Sequence, residues 1–230
     1  MISSLSSSLP SQTLVKCYSQ MDAFYDYTVH PSVISRGKRL IDIMGALVGL
    51  AIMGIILIPV AIAIWLDSPG PIFYSQIRYG YLGRPFRMWK FRSMINRADQ
   101  LKHTVENQVT GHFFKNQNDF RITRVGRILR QTSLDEFPQF WNVLIGDMSL
   151  VGTRPPILDE VVNYDGYHWQ RLLVKPGITG EWQIKGRSQI KNFDEVVGMD
   201  LDYQKKWSLL YDTWVILQTI GVVWNRCGAY

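Results

Sequence analysis

The hydrophobic pattern of the chain is dominated by one long uncharged run, which covers residues 43–66. As an α-helix this run would be about 36 Å long, whereas the hydrocarbon core of a bilayer is about 30 Å thick. The run therefore predicts a membrane helix, with a buried core helix as the alternative. Pro59 lies inside it, and because proline removes one backbone hydrogen bond and crowds the preceding turn, it predicts a bend or break there.

Basic residues flank the apolar run on both sides. They are Arg36, Lys38 and Arg39 before it, and Arg78, Arg84, Arg87, Lys90 and Arg92 after it. Positively charged flanks favour the cytoplasmic side of a membrane. Both flanks satisfy this preference together only if the helix enters one leaflet and returns to the same side. We therefore expect a re-entrant, monotopic membrane helix over residues 37–67.

The remaining pattern divides the chain into a polar extension at 1–36 and a compact cytoplasmic domain at 68–230. In that domain, β-prone stretches at 72–76 and 86–91 flank a glycine-containing turn and predict a hairpin. Helical patterns begin at Arg124, return at 157–173 and continue at 194–225, whereas 174–187 is predicted as loop. The apolar end of the last stretch fits either a core helix or an interfacial helix. The predicted fold is mostly α with a small β-hairpin.

Composition narrows the range of functions. The net charge of +6 and the pI of about 9.3 favour anionic partners. Two cysteines, Cys17 and Cys227, argue against a disulfide framework, and four scattered histidines argue against a His-based metal site. The sequence has no P-loop, GxGxxG or GxSxG pattern, which disfavours kinase, dinucleotide and common esterase chemistry. It also has no nucleic-acid-binding motif, so nucleic acid is not predicted as a partner.

The sharpest candidate site is the Asp135-Glu136 pair in the segment RILRQTSLDEFPQF. Ser133 and Glu136 have the spacing of a capping box, which is a purely structural interpretation. It leaves Asp135 unexplained. In the first turn of a helix, unpaired amides and the helix dipole keep a carboxylate ionised, and such a carboxylate can act as a nucleophile. Glu136 could orient water, assist proton transfer or bind a metal.

A group of cations accompanies this pair. Lys90 and Arg92 alternate with Phe91 and would share one face of the second strand, an arrangement that suits a diphosphate. A solvated or headgroup-binding face is the alternative. Arg130, the last of three arginines at helical spacing, is nearest to Asp135 in sequence. We therefore take Lys90, Arg92 and Arg130 as candidate phosphate ligands.

Several segments together resemble one family, the monotopic polyprenyl-phosphate phosphoglycosyl transferases, also called bacterial sugar transferases. The segments are KRLID (38–42), the apolar run with Pro59, SPGPIFYSQIRYG (68–80), FRMWKFRSM (86–94), LRQTSLDEFPQFWNVLIGDMSLVGTRP (129–155), KPGITGEWQIKGR (175–187) and residues 200–214. They cover about residues 37–225, and their combination is far more specific than any one of them. We expect the small type of the family, without the multi-spanning N-terminal region of some members.

The resemblance implies a two-step transfer at a membrane surface. Asp135 would attack the β-phosphate of a UDP-sugar, release UMP and form a sugar-phospho-aspartate. A polyprenyl phosphate of the undecaprenyl type would then accept the sugar phosphate, which starts the assembly of exopolysaccharide, capsule or glycan. Mg²⁺ is the implied cofactor, held by Asp135 and Glu136 near the diphosphate.

The family motifs also imply roles for residues outside the pair. Lys90 and Arg130 would contact phosphate, and Pro59 would break the membrane helix. The matched nucleotide-sugar and active-site residues are Arg154, Pro155, Gln183 and Arg187. Thr153 stands where the family usually has proline, which predicts a less rigid turn before Arg154.

The implied location is the cytoplasmic face of the bacterial inner membrane, with UDP-sugar, polyprenyl phosphate and membrane lipids as partners. A homodimer and a monomer both agree with the sequence. Two other hypotheses stay open at this point. One is a membrane-anchored protein that binds anionic lipid, and the other is a hydrolase of lipid diphosphates in which water replaces the acceptor.

Overall fold

Helices account for most of the fold in the computed structural model, which describes residues 28–105, 116, 118–185, 190 and 192–224. The helices are α1 (Pro31–Ile34), α2 (Arg36–Asp67), α3 (Arg124–Gln131), α4 (Gln139–Ile145), α5 (Leu158–Val161), α6 (Gly166–Trp169), α7 (Glu181–Ile184), α8 (Phe193–Lys206) and α9 (Leu209–Trp224). The strands are β1 (Phe73–Tyr79), β2 (Pro85–Phe91), β3 (Ser149–Val151) and β4 (Gly177–Thr179), and 3₁₀ turns lie at Tyr81–Gly83, Ala98–Thr104, Leu134–Glu136 and Gln170–Leu173. The prediction of a mostly helical fold with a hairpin is confirmed.

The long helix α2 is capped by Ser35, whose hydroxyl accepts a hydrogen bond from the Lys38 backbone amide. Helical residues continue past Pro59 without interruption, so this proline does not end the helix, and the predicted bend stays a prediction. Among the residues that the structure describes, α2 is the one helix long and apolar enough to cross a membrane. Its middle is exposed, for example at Ile55 and Ile58, which argues against a buried core helix.

Both ends of α2 are attached to the same domain. At its start, Lys38 Nζ lies 2.6 Å from Asp212 Oδ2 and donates to the Val151 carbonyl at 3.0 Å. At its end, Asp67 Oδ2 accepts a hydrogen bond from the Val125 amide at 2.8 Å. Ile64, one turn earlier, is buried with Phe91 and Leu129. The exposed apolar middle of α2 therefore lies between two ends that are both bonded to the same domain.

The hairpin β1–β2 is antiparallel, with Phe73 opposite Phe91 and Tyr79 opposite Pro85. Its turn needs left-handed backbone at Leu82 and Gly83, which have φ angles of 54° and 68°. Phe86 and Met88 point into a core cluster with Ala46 of α2 and Val143 of α4. The hairpin thus has one face against α2 and α4, which brings its polar end beside the start of α4.

A second, shorter pair of strands was missed by the sequence prediction. β3 and β4 are parallel, with Ser149 opposite Gly177 and Val151 opposite Thr179. The prediction of loop over 174–187 was therefore wrong at β4 and at α7. Three-residue strands are too short to show alternation, and their close contact is visible only in the backbone: a Cβ on Gly177 would lie 2.1 Å from the Gly152 amide nitrogen.

The C-terminal helices α8 and α9 confirm the predicted helical stretch at 194–225. Val215 of α9 is fully buried against Val151 and Tyr203, whereas Leu210 and Leu217 on its other side are exposed. One apolar face of α9 therefore packs on the domain and another faces outward. This arrangement fits the interfacial alternative better than the core alternative.

Candidate active site

The Asp135-Glu136 pair lies in the 3₁₀ turn Leu134–Glu136, between α3 and α4. The turn is entered through Ser133, which has a left-handed φ of 55°. In this conformation Ser133 makes no side-chain cap hydrogen bond, so the predicted capping box is wrong. A cap residue normally has extended backbone, and Ser133 instead reverses the chain after α3. The reversal leaves Asp135 only 6% exposed.

Lys90 of β2 lies beside the pair. Its Nζ lies 2.9 Å from Glu136 Oε1 and 3.9 Å from Asp135 Oδ2. The hairpin carries Lys90 to this position, since β2 packs against the 3₁₀ turn. The structure therefore brings together three residues that the sequence prediction assigned to one site.

Arg130 stands in the last turn of α3, and its Nε donates to Ser93 Oγ at 2.9 Å. Burial lowers the pKa of Arg130, and the Asp135 carboxylate opposes this effect, as does Asp119. Because an arginine keeps its charge even after such a shift, Arg130 adds a partly desolvated cation beside Asp135.

Arg78 of β1 also belongs to this region, although the sequence analysis treated it only as a flanking charge. Its Nη1 donates to the Pro155 carbonyl at 3.1 Å and its Nη2 to Gln76 Oε1 at 3.0 Å. Burial, and then the nearby Arg154, lower the pKa of Arg78 to about 10, while Glu160 and Glu136 act in the opposite direction. Arg78 therefore lies between the dyad and the loop that carries Arg154.

Arg154 is held by a fully buried carboxylate. Its Nη1 lies 2.9 Å from Glu160 Oε2 and 3.1 Å from Oε1. Burial alone would lower the pKa of Arg154, but the Glu160 carboxylate raises it overall. Behind it, Arg171 donates to the Arg154 carbonyl at 3.2 Å, to Tyr164 and to the buried Asp200. This inner layer of charges fixes the Arg154 loop.

The backbone on the other side of Arg154 is also fixed. Thr153 is buried, and its carbonyl accepts a hydrogen bond from the Gly177 amide at 2.9 Å. Pairing with the start of β4 thus restrains this turn at the position where the family usually has proline. Pro155 is buried next to it, and its carbonyl is the acceptor for Arg78.

Three further residues of the predicted site, Arg92, Gln183 and Arg187, differ from Lys90 and Arg130. The Arg92 guanidinium donates to the carbonyls of Ser68 and Pro69, so it fixes the turn after α2. Gln183 lies on α7, and within the described chain its Oε1 is buried without a hydrogen-bond partner. Arg187 lies outside the described residues. The Arg92 interactions could not be predicted because strand alternation says nothing about a neighbouring turn.

The carboxylates available for a metal ion are those of Asp135 and Glu136. Over the described part of the chain, no group of three or more His, Cys, Asp or Glu side chains is arranged around one point. Mg²⁺ is commonly bound by one or two carboxylates together with waters and substrate phosphates. The adjacent pair fits that donor set, with the remaining ligands supplied from solution, and Mg²⁺ stays a prediction.

Comparison with known proteins gives a consistent assignment. The model of the family described as "Bacterial sugar transferase" matches residues 33–226. Similar proteins include the galactosyl transferase CpsE of Streptococcus agalactiae serotype III, which is 51% identical over 84% of this chain and 43% of its own length. The UDP-glucose:undecaprenyl-phosphate glucose-1-phosphate transferase of Escherichia coli is 41% identical over 84% of this chain and 41% of its own length.

The chain spans about two fifths of the length of these two relatives. A shorter relative, the exopolysaccharide production protein ExoY of Rhizobium meliloti, is 35% identical over 84% of this chain and 88% of its own length. The matched region includes α2, the hairpin, the Asp135-Glu136 turn and the Arg154 loop. The chain belongs to the bacterial sugar transferase family.

Proposed function

We propose that this protein transfers a sugar 1-phosphate from a UDP-sugar to a polyprenyl phosphate of the undecaprenyl type. The products are UMP and a polyprenyl-diphospho-sugar, and the reaction begins the assembly of a bacterial surface polysaccharide. The observation that carries the proposal is the Asp135-Glu136 turn with Lys90 and Arg130 beside it. The relatives support the reaction type, since one is named as a glucose-1-phosphate transferase to undecaprenyl phosphate.

In the first step, an ionised Asp135 oxygen attacks the β-phosphorus of the UDP-sugar. The bond from that phosphorus to the bridging oxygen breaks, UMP leaves with the electron pair, and a sugar-phospho-aspartate remains. Lys90, Arg130 and Arg78 supply positive charge where negative charge develops on the phosphoryl oxygens. Bound Mg²⁺ would neutralise part of the diphosphate charge in the same place.

In the second step, a phosphate oxygen of the polyprenyl phosphate attacks the same phosphorus and displaces the Asp135 carboxylate. The enzyme is thereby restored without a net proton transfer. Arg154, held by Glu160, is proposed to bind the nucleotide-sugar, together with Pro155, Gln183 and Arg187. Its ion pair with a buried carboxylate favours a fixed direction for the guanidinium, which suits recognition of an anionic or hydroxyl-rich ligand.

The proposed location is the cytoplasmic face of the bacterial inner membrane, with α2 as a re-entrant helix. Three observations support this topology. Both ends of α2 are bonded to the same domain, both sequence flanks are basic, and the middle of α2 is apolar and exposed. A helix with both ends on one side leaves the dyad near the lipid headgroups, where a cytosolic UDP-sugar and a lipid phosphate can meet.

UMP release from a panel of UDP-sugars tests the reaction. With Mg²⁺ but no acceptor, we expect one burst of UMP, about equal to the amount of enzyme, and continuous release once polyprenyl phosphate is added. Asp135→Asn should abolish both phases and lower turnover by about a thousandfold or more. Normal turnover in Asp135→Asn would refute the nucleophile. Continuous release without acceptor would instead indicate a hydrolase, and no release with any sugar would favour a lipid-binding protein.

A further inference from the structure

A second basic region lies at the start of α2, away from the dyad. An open cavity of about 280 Å³ is present there, and its polar lining includes Arg36, Lys38, Arg39, Lys175, Ser35 and Asp42. We call it the basal cavity. Pockets for drug-sized ligands begin at about 300 Å³, so this volume suits a small polar group better than a whole nucleotide.

The charges around the basal cavity do not balance. Four cations line it, whereas Asp42 is the one carboxylate in its lining. Asp42 already accepts hydrogen bonds from Ser149 Oγ at 2.8 Å and from the Leu150 amide at 2.9 Å. Lys38 is committed to Asp212. Two of the four cations are therefore not neutralised by these acids.

The uncompensated charge is carried by residues that face the opening. Within the described residues, neither Arg36 nor Lys175 has a carboxylate at ion-pair distance. Arg39 donates to the Val143 and Leu144 carbonyls at 2.8 and 2.7 Å, which orients its guanidinium but leaves its charge in place. Burial, and then Arg39, lower the pKa of Lys175, while Asp42 and Asp147 oppose this shift. A bound anion would relieve the repulsion.

An apolar stripe continues from the basal cavity along α2. Leu40, Met44 and Leu47 follow Arg36 at helical spacing and are 62%, 57% and 49% exposed. A cationic cavity that opens beside an exposed apolar stripe matches an amphiphile with an anionic head and hydrocarbon chains. A free anion would use the cavity but would leave the stripe uncovered.

The basal cavity is separate from the dyad. Arg39 is bonded to carbonyls near the C-terminal end of α4, whereas Asp135 and Glu136 precede the N-terminal end of the same helix. Seven helical residues extend about 10 Å. An anion in the basal cavity therefore does not occupy the position proposed for the transferred phosphate.

We propose that the basal cavity binds the phosphodiester headgroup of an anionic membrane phospholipid, whose acyl chains lie along Leu40, Met44 and Leu47. Arg36 and Lys175 provide the ionic contacts, and Arg39 contributes its remaining N–H donors and its charge. The inference concerns the membrane environment of α2 and does not depend on the transfer reaction.

Native mass spectrometry of the full chain, incubated in detergent with equal amounts of phosphatidylglycerol and phosphatidylcholine, tests this site. The double variant Arg36→Gln/Lys175→Gln removes the two ionic contacts. The matched control Arg84→Gln/Lys205→Gln removes the same charge from other exposed positions. We expect the wild type and the control to retain phosphatidylglycerol preferentially. In the cavity variant, the ratio of bound phosphatidylglycerol to bound phosphatidylcholine should fall about tenfold.

Three results would overturn the proposal. Equal lipid preference in the two double variants would show that only net charge matters. Saturable binding of inorganic phosphate that needs Lys175, with no preference between the lipids, would assign the cavity to free phosphate. A cavity variant that keeps its lipid preference but needs more polyprenyl phosphate for UMP release would assign the cavity to the acceptor. Thermal unfolding equal to wild type would confirm that the variants are folded.

Discussion

Asp135 and Glu136 are sequence neighbours with different surroundings. Lys90 Nζ is a full ångström closer to Glu136 than to Asp135, so the direct hydrogen bond from this cation goes to Glu136. Glu136 can therefore hold Lys90 in place while Asp135 receives its longer-range charge. This division agrees with Asp135 as the nucleophile and Glu136 as the residue that organises the site.

Replacing Lys90 by Gln removes the positive charge of this residue and keeps a polar side chain. We expect kcat/KM for the UDP-sugar to fall by about a hundredfold, because one preorganised positive donor near the phosphoryl group is lost. Lys205→Gln on α8 is a control, since that side chain is 76% exposed. Activity of Lys90→Gln equal to that of the control would show that the Lys90 charge is not used.

For individual residues, the sequence predicted that cations accompany the dyad, and the structure brings Lys90 and Arg130 to it. Arg78 was undervalued, and Glu160 was not considered. Their importance depends on burial and on partners distant in sequence, such as the Arg154–Glu160 pair. The capping box was wrong because spacing reveals neither the left-handed backbone of Ser133 nor the 3₁₀ turn that follows it.

Among the elements, α3 and the end of the hairpin pack unusually closely. A Cβ on Gly126 would lie only 1.9 Å from the carbonyl oxygen of Ser93. The same Ser93 receives a hydrogen bond from Arg130 through its hydroxyl. The absence of a side chain at Gly126 therefore sets the distance between α3 and the segment after β2, and with it the position of Arg130.

Gly126→Ala should force α3 away from Ser93. We expect the free energy of unfolding to fall by about 1–3 kcal/mol, as for other overpacked sites, and turnover to fall because Arg130 is displaced. Gly198→Ala in α8 is the matched control, since its Cβ would make only an ordinary contact of 3.7 Å and alanine favours a helix. Denaturant unfolding in detergent would measure the free energy of unfolding of the two variants, and UMP release would measure their turnover. Equal stability of the two variants would contradict the packing argument.

The hairpin and the long helices could be predicted because each is long enough to show its period. β3, β4 and α7 could not, since each has three or four residues and lies among glycines and prolines. These short elements are specified by contacts between distant segments, such as the backbone approach of Gly152 to Gly177. Local pattern therefore predicts the frame of the fold but not the short elements paired beside the Arg154 loop.

For the molecule as a whole, the topology of α2 is the main prediction. In a background of Cys17→Ser and Cys227→Ser, single cysteines at Ile34→Cys and Arg84→Cys would report the two flanks. We expect a membrane-impermeant maleimide to label both from the cytoplasmic side, because both ends of α2 are bonded to one domain. Labelling from opposite sides of the membrane would exclude a re-entrant helix.

The pH dependence of stability follows from three tyrosines, of which Tyr164 is buried and Tyr74 and Tyr211 are half-buried. Burial raises the pKa of Tyr74, Tyr164 and Tyr211 to about 12, from an ordinary value of 10. Between pH 10 and 12 the unfolded chain loses these protons first, so the free energy of unfolding should fall as pH rises. Arg78, Arg130 and Lys175, whose pKa values are lowered, act in the opposite sense, whereas Tyr203, whose pKa is raised well above 10, adds to the effect of the three tyrosines.

Tyrosinate absorbance and denaturant unfolding across this range would measure the effect. We expect part of the 11 tyrosines to ionise only near pH 12 in the folded protein. Tyr164→Phe should make the loss of stability less steep. Ionisation of all tyrosines near pH 10 without unfolding would contradict this prediction.

The attachment of Lys38 has a practical consequence for producing the protein. Its ammonium is shared between Asp212 of α9, the carbonyl of β3 and the hydroxyl of Tyr203, all in the interior. A chain shortened to begin after Asp67 would keep Asp212 buried without this cation and would expose the surfaces that cover Ala46 and Ile64. We therefore expect a fragment that lacks α2 not to fold as a water-soluble domain.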